Sequence, residues 1–294
     1  MSGGRIIDGD GHIFEDIAGI ERHMPEAFRK QQRVPVPIIP SLDHMHGPMI
    51  KLEAGAFGGG KMIGQPEWKE FMEDVGIESA VLYPTSALAY GVITDIDWSV
   101  CLARAYNEWL HEAYVAKGDI FKGMALIPMV DPDAAVAELR YAIRELGMTG
   151  AMIPSNGLQA TLGSKKYWPI YKEAESLGCS LALHGGSHHN MGMDDFTTFA
   201  PVHALGHPFG MMINLASMVF NGVFDRFPNL RVGYLEAGVA WFLFCLERFD
   251  GSWAAFQPFD FADQLVKTRP GEKLSKYLKR LIETDRLFIG CEGD

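Results

Sequence analysis

Short apolar runs rich in Ile, Val, Leu and Met recur along this chain, alternating with stretches whose apolar positions repeat at helical spacing. The runs cover residues 5–14, 79–84, 121–128, 150–154, 180–184, 231–236 and 286–291, and each reads as a strand. Three of them end in proline and two in a Gly-rich turn, which stops a strand cleanly. Between them, Asp131-Pro132 supplies an N-cap and a first-turn proline. The helix this opens should run to Leu146-Gly147, with Ala135, Leu139, Ala142 and Ile143 on one face. Residues 165–177 predict a second helix stopped by Gly178, and 213–224 a third ended at Phe227-Pro228.

Strand–helix alternation at this spacing implies parallel strands joined by helical crossovers. Seven repeats favour a distorted (β/α)8 barrel, here a single domain over residues 1–294, above an open doubly wound sheet. An eighth strand is not found before Asp294, so the barrel is expected to be C-terminally incomplete in this chain. Two stretches break the rhythm: 32–62, carrying Asp43, His44 and His46, and 251–272, carrying Trp and Phe. They read as insertions after strands one and six, where loops gather at the C-terminal mouth of a barrel.

Composition narrows the setting. With 48% hydrophobic residues in 294, there is ample material for a large core. A formal net charge of −11 and no Lys/Arg run argue against a nucleic-acid partner. The N-terminus lacks a signal-peptide pattern, and the longest apolar run, 239–246, is too short to span a membrane. Four scattered cysteines without a CxxC pair read as buried thiols of a cytoplasmic protein.

The chemistry concentrates at strand ends. Asp10 and His12 lie two apart on the first strand, so both face one side and can grip one ion. Asp8 shares that face but sits deeper. Strand five ends in His184-Gly185-Gly186, where an imidazole reaches the mouth and two glycines let a ligand approach. His188 and His189 fall in a polar loop and read as solvated or substrate-edge residues. A carboxylate with two imidazoles suits one divalent cation, zinc first and manganese second. Strand four has no Lys, so a carbamylated lysine bridging two ions is excluded there.

The D-x-H start, His184, the run from His203 to Gly210 and Phe220-Asn221-Gly222-Val223-Phe224-Asp225-Arg226-Phe227-Pro228 together resemble the amidohydrolase superfamily. The resemblance covers nearly the whole chain. It is closest to the amidohydrolase family 2 branch, which includes aminocarboxymuconate semialdehyde decarboxylase and the resorcylate-type decarboxylases. It implies a distorted barrel with one divalent ion held by Asp10, His12 and His184. The branch also uses an Asp at the end of strand eight; nothing here matches it, and Glu292 and Asp294 are the stand-ins available. Where its decarboxylases carry His-Gly-Gly on strand six, this chain has Glu236-Ala237-Gly238. Glu236 is therefore a candidate catalytic group able to hydrogen-bond water or substrate, and His207, read as lying near a helix start beside Pro208, is a second.

Three functions follow as expectations. The first is a metal-dependent decarboxylase of a small aromatic or unsaturated carboxylic acid, with the ion as Lewis acid and a side chain protonating the carbon that loses CO₂. The second is a hydrolase using water activated by the same ion on an amide, ester, lactone or C–C bond. The third is a non-catalytic barrel. A small-molecule carboxylate is the expected partner; the resemblance further implies a homodimer, for which the aromatics of residues 241–261 offer a surface.

Overall fold

A computed structural model describes residues 5–31, 38–45, 63–259 and 266–291. Seven strands lie in one parallel sheet in chain order: β1 (Ile7–Ile13), β2 (Ser79–Pro84), β3 (Phe121–Ala125), β4 (Gly150–Pro154), β5 (Ser180–His184), β6 (Arg231–Tyr234) and β7 (Leu287–Ile289). Each strand pairs with the next, the order of a (β/α)8 barrel rather than of a sheet whose strand order reverses midway. Glu292, Asp294, His46 and most of the first insertion lie outside the described residues.

Between β1 and β2 come α1 (Ile17–His23), α2 (Glu26–Gln31) and α3 (Gln65–Val75). The later crossovers use α4 (Ile96–Ala113), α5 (Pro132–Arg144), α6 (Trp168–Leu177), α7 (Phe199–Phe220), α8 (Val223–Arg226), α9 (Ala240–Phe256) and α10 (Leu274–Glu283). Asp131 caps α5 as its sequence implies, accepting from the backbone N–H of Asp133 and Ala134 at 3.0 and 3.2 Å. Gly178 ends α6 in the left-handed conformation, with φ at 67°.

Several expectations need correction. The helix expected from 213 begins at Phe199, so Pro208 and His207 lie inside α7 rather than near its start. Proline there removes one helical hydrogen bond, but Val202, Met211, Leu215 and Met218 bury a long apolar face that holds the helix together. The second insertion is regular at its beginning, since residues 251–256 continue α9. Of the aromatics expected to form a dimer surface, Trp241, Phe242, Phe249 and Trp253 are core, while Phe244, Phe256 and Phe259 are exposed. Cys101, Cys179 and Cys245 are buried; Cys291, expected to be, is exposed.

Two polar groups tie the layers. Buried Asn107 on α4 donates to Leu126 O at 2.9 Å and to Glu138 Oε1 on α5 at 2.8 Å. Its Oδ1 accepts from Leu126 N at 2.9 Å, and Glu138 in turn holds Arg104. Nearer the mouth, buried Glu15 accepts from Ser86 N and Ala87 N, fixing the turn after β2. Burial pushes its carboxyl upward against the pull of those two N–H groups.

Removing the Asn107 amide takes the partner from both Leu126 N–H and Leu126 C=O and leaves Glu138 Oε1 only Arg104 Nε at 3.3 Å. Asn107→Ala is expected to cost about 2–4 kcal/mol, read as a lower urea midpoint at unchanged slope.

Candidate metal centre at the mouth of the barrel

Strand register delivers the site. His12 pairs with Tyr83, Pro154 with His184, and Leu183 with Tyr234, so the ends of β1, β2, β4, β5 and β6 share one rim. Within β1 the pairing slips between Asp8 and Gly11, where three residues of β1 match two of β2. That bulge lies across Asp10 and re-aims it, with its N–H turned back to Asp8 Oδ1 at 3.0 Å.

Three side chains converge. His12 Nε2 and His184 Nε2 are 2.9 Å apart, and Asp10 Oδ1 lies 3.9 and 3.6 Å from them. One ligand atom from each lies within 4.8 Å of the other two. His12 Nδ1 donates to Pro84 O at 2.9 Å, which fixes the tautomer and turns the Nε2 lone pair inward. His184 is fully buried, while Asp10 and His12 keep about a quarter of their side chains open. One carboxylate and two imidazoles at this separation fit a single divalent ion of zinc or manganese type.

Glu236 closes the arrangement from just beyond β6. Its Oε2 lies 2.9 Å from His184 Nε2, 4.0 Å from His12 Nε2 and 3.4 Å from His207 Nδ1. The residue sits at φ 51°, a left-handed conformation costing a non-glycine residue about 1–3 kcal/mol, of the kind that clusters where side-chain aim matters. His207 on α7 donates from Nδ1 to the Glu236 carbonyl at 3.0 Å and is almost buried. Tyr83 packs beside His12 and His184, with ring centroids 6.2 and 5.9 Å away.

The electrostatics favour positive charge at the centre. Burial opposes a charge on His184, but the hydrogen bond and charge of Glu236, joined by Asp10, raise its pKa regardless. Burial also pushes Glu236 upward, yet His184, His207 and His12 pull it down to about 2. His12 falls to about 4 through burial and the neighbouring His184. Burial takes His207 to about 4 as well.

The structure therefore brings together Asp10, His12, His184, Glu236 and His207. Asp8 stays behind the bulge. His188 departs from expectation: it is 2% exposed, and its Nδ1 donates to Asp43 Oδ2 at 2.8 Å. A carboxylate from the distant first insertion buries it, which no local pattern around residue 188 announces. His189 is half exposed, 3.6 Å from Asp194. Tyr83 and Pro84 had a usable signal, since they end a strand at the mouth.

Comparison with known proteins gives the family and the fold. The profile of a family described as amidohydrolase matches residues 8–285. A 2-amino-3-carboxymuconate-6-semialdehyde decarboxylase of Dictyostelium discoideum is 31% identical over 137 residues, 47% of this chain and 38% of that protein. A gamma-resorcylate decarboxylase of Rhodococcus jostii is 28% identical over 191 residues, 58% of this chain and 55% of the relative. The matches thus span about half or less of these curated relatives. In fold, the chain superposes on a 5-carboxyvanillate decarboxylase of Novosphingobium aromaticivorans, complexed with manganese and 4-hydroxy-3-methoxy-5-nitrobenzoic acid. The TM-score is 0.72 at 19% identity, covering 99% of this chain and 79% of that one.

A cation bound only by the folded state must stabilise it. Manganese or zinc at about 100 times its Kd is expected to add about 2.7 kcal/mol, seen as a higher melting temperature that a chelator reverses. His184→Ala, assayed alongside by elemental analysis, should lose both the bound metal and that shift.

Proposed function

From the premise that the chain belongs to the amidohydrolase family, we propose that it carries the centre of a metal-dependent decarboxylase acting on a small aromatic carboxylic acid. The observation that carries this reading is the cluster of Asp10, His12 and His184 with the Glu236 carboxylate beside it. In the proposal the three residues hold one divalent ion, zinc or manganese. When bound, that ion supplies Lewis-acid polarisation of the substrate carboxylate and of an adjacent oxygen.

The chain's own groups do the rest. Glu236 is the proton carrier: anionic at rest, it accepts a proton from solvent or from a substrate hydroxyl and returns it to a ring carbon. The bond from that carbon to the carboxyl group breaks, its electron pair takes the proton, and CO₂ leaves. His207 acts on Glu236 through the backbone, because its Nδ1–H holds the carbonyl of a residue in a strained conformation. Tyr83 walls the site, and burial reinforced by Asp10 and Asp8 raises its hydroxyl pKa, keeping it a neutral surface for a ring. Relatives and neighbours support the class of substrate, since their names refer to resorcylate, carboxyvanillate and aminocarboxymuconate semialdehyde.

The test is turnover of γ-resorcylate and 5-carboxyvanillate by the metal-loaded chain in labelled water. The expected result is CO₂ release with solvent deuterium at the vacated ring carbon and no solvent oxygen in the organic product. Oxygen-18 in that product would replace the lyase by a hydrolase; absence of both turnover and bound metal would leave a non-catalytic barrel. Glu236→Gln should lower kcat by about 10²-fold or more, as expected for losing a proton-transfer group.

A further inference from the structure

Residues 38–45 belong to the insertion after β1, yet their hydrogen bonds run to the loop after β5. His188 N donates to Leu42 O at 2.9 Å, and His44 Nε2 donates to Phe196 O at 2.7 Å. Between these, His188 Nδ1 donates to Asp43 Oδ2 at 2.8 Å, while Asp43 Oδ1 accepts from Met45 N at 2.7 Å. The two side chains are only 1% and 2% exposed. Burying a carboxylate is expensive unless it is partnered, so this couple ties residues 42–45 to the loop after β5.

The other edge of His188 rests on α7. A Cβ built at Gly206 would lie 2.4–2.7 Å from Nε2, Cδ2 and Cε1 of the His188 ring, so only glycine leaves room for the imidazole. One residue further on, the relation is reversed. A Cβ at Gly185, next to His184, would lie 2.3–2.6 Å from the same three atoms of His207. The β5 loop thus supplies Gly185 and His188, α7 supplies Gly206 and His207, and each imidazole occupies the space a side chain of the other element would fill. The two rings are 5.2 Å apart and tilted by 53°. The two imidazoles pack directly against each other, so the seat of one borders that of the other. His207 in turn holds the Glu236 carbonyl.

We infer that Asp43 and His188 are positioning residues: their couple keeps the His207 imidazole seated on Gly185 and, through it, holds Glu236 at its aim. Residues 42–44 thereby set the geometry of the reacting end of the barrel. The inference rests on the proposed function only for the consequence in turnover; the seating of His207 stands on the packing alone.

The experiment uses the full chain with ring-¹⁵N histidine, comparing Asp43→Asn with Gly206→Ala. The first removes the carboxylate's charge and keeps an Oδ1 for Met45 N–H; the second is compatible with a helix and displaces the His188 ring without altering charge. Both should move the His207 ring signals while bound metal stays at the unsubstituted level. Both should lower kcat on γ-resorcylate by about 10²-fold, the scale of a misplacement near 1 Å, with little change in KM. Unmoved His207 signals in a folded variant overturn the inference, whatever happens to kcat. Should Asp43→Asn fail to fold, Gly206→Ala decides. If the unsubstituted chain releases no CO₂, the proposed function fails, and the ring signals still decide whether the couple seats His207.

Discussion

The mouth of this barrel is organised by one electrostatic requirement: a positive charge among two carboxylates and the imidazoles that face them. Asp10 Oδ1 and Glu236 Oε2 both approach His184 Nε2, at 3.6 and 2.9 Å, where the side chain is fully buried. Burial opposes a charge on His184, yet Glu236 and Asp10 raise its pKa against that penalty. A divalent cation meets the requirement with charge that all the donors can share. Burial and the neighbouring His184 lower His12 to about 4, while burial of Glu236 is outweighed by His184, His207 and His12, which bring it to about 2. The imidazole of His12 is thus neutral and Glu236 anionic, the states in which such groups serve as ligands or bases.

Backbone geometry makes that convergence possible. Parallel register brings the ends of five strands to one level, and a bulge in β1 turns Asp10 toward the two imidazoles. Beyond β6 the chain takes a left-handed turn at Glu236, with Gly238 also at positive φ. The cost of that conformation is carried by surrounding contacts, among them the His207 hydrogen bond to the Glu236 carbonyl. The surrounding frame is tied by the Asn107–Glu138–Arg104 network and by Glu15 on the turn after β2. Among the described residues, no helix is long and apolar enough to cross a membrane.

The histidines separate by the role each ring edge plays. His12 spends Nδ1 on Pro84 and offers Nε2 to the centre; His207 spends Nδ1 on Glu236 and rests its far edge on Gly185. His188 spends Nδ1 on Asp43 and rests on Gly206. In each case a hydrogen bond at Nδ1 helps to fix the ring.

Local pattern was enough for the strands and for naming three side chains that the fold brings together. Alternation along β1 puts Asp10 and His12 on one face, and an apolar strand ending in His-Gly-Gly points His184 to the mouth, because both signals reside in a few consecutive residues. The helix carrying His207 begins earlier than its sequence suggests, since a proline usually marks a first turn and only burial of a long apolar face overrides that preference. The bulge at Asp10 and the strained turn at Glu236 depend on how neighbouring strands pair, which no local propensity encodes. The burial of His188 lies furthest from view: its partner, Asp43, is 145 residues away, and a contact at that separation exists only once the barrel has brought two loops together.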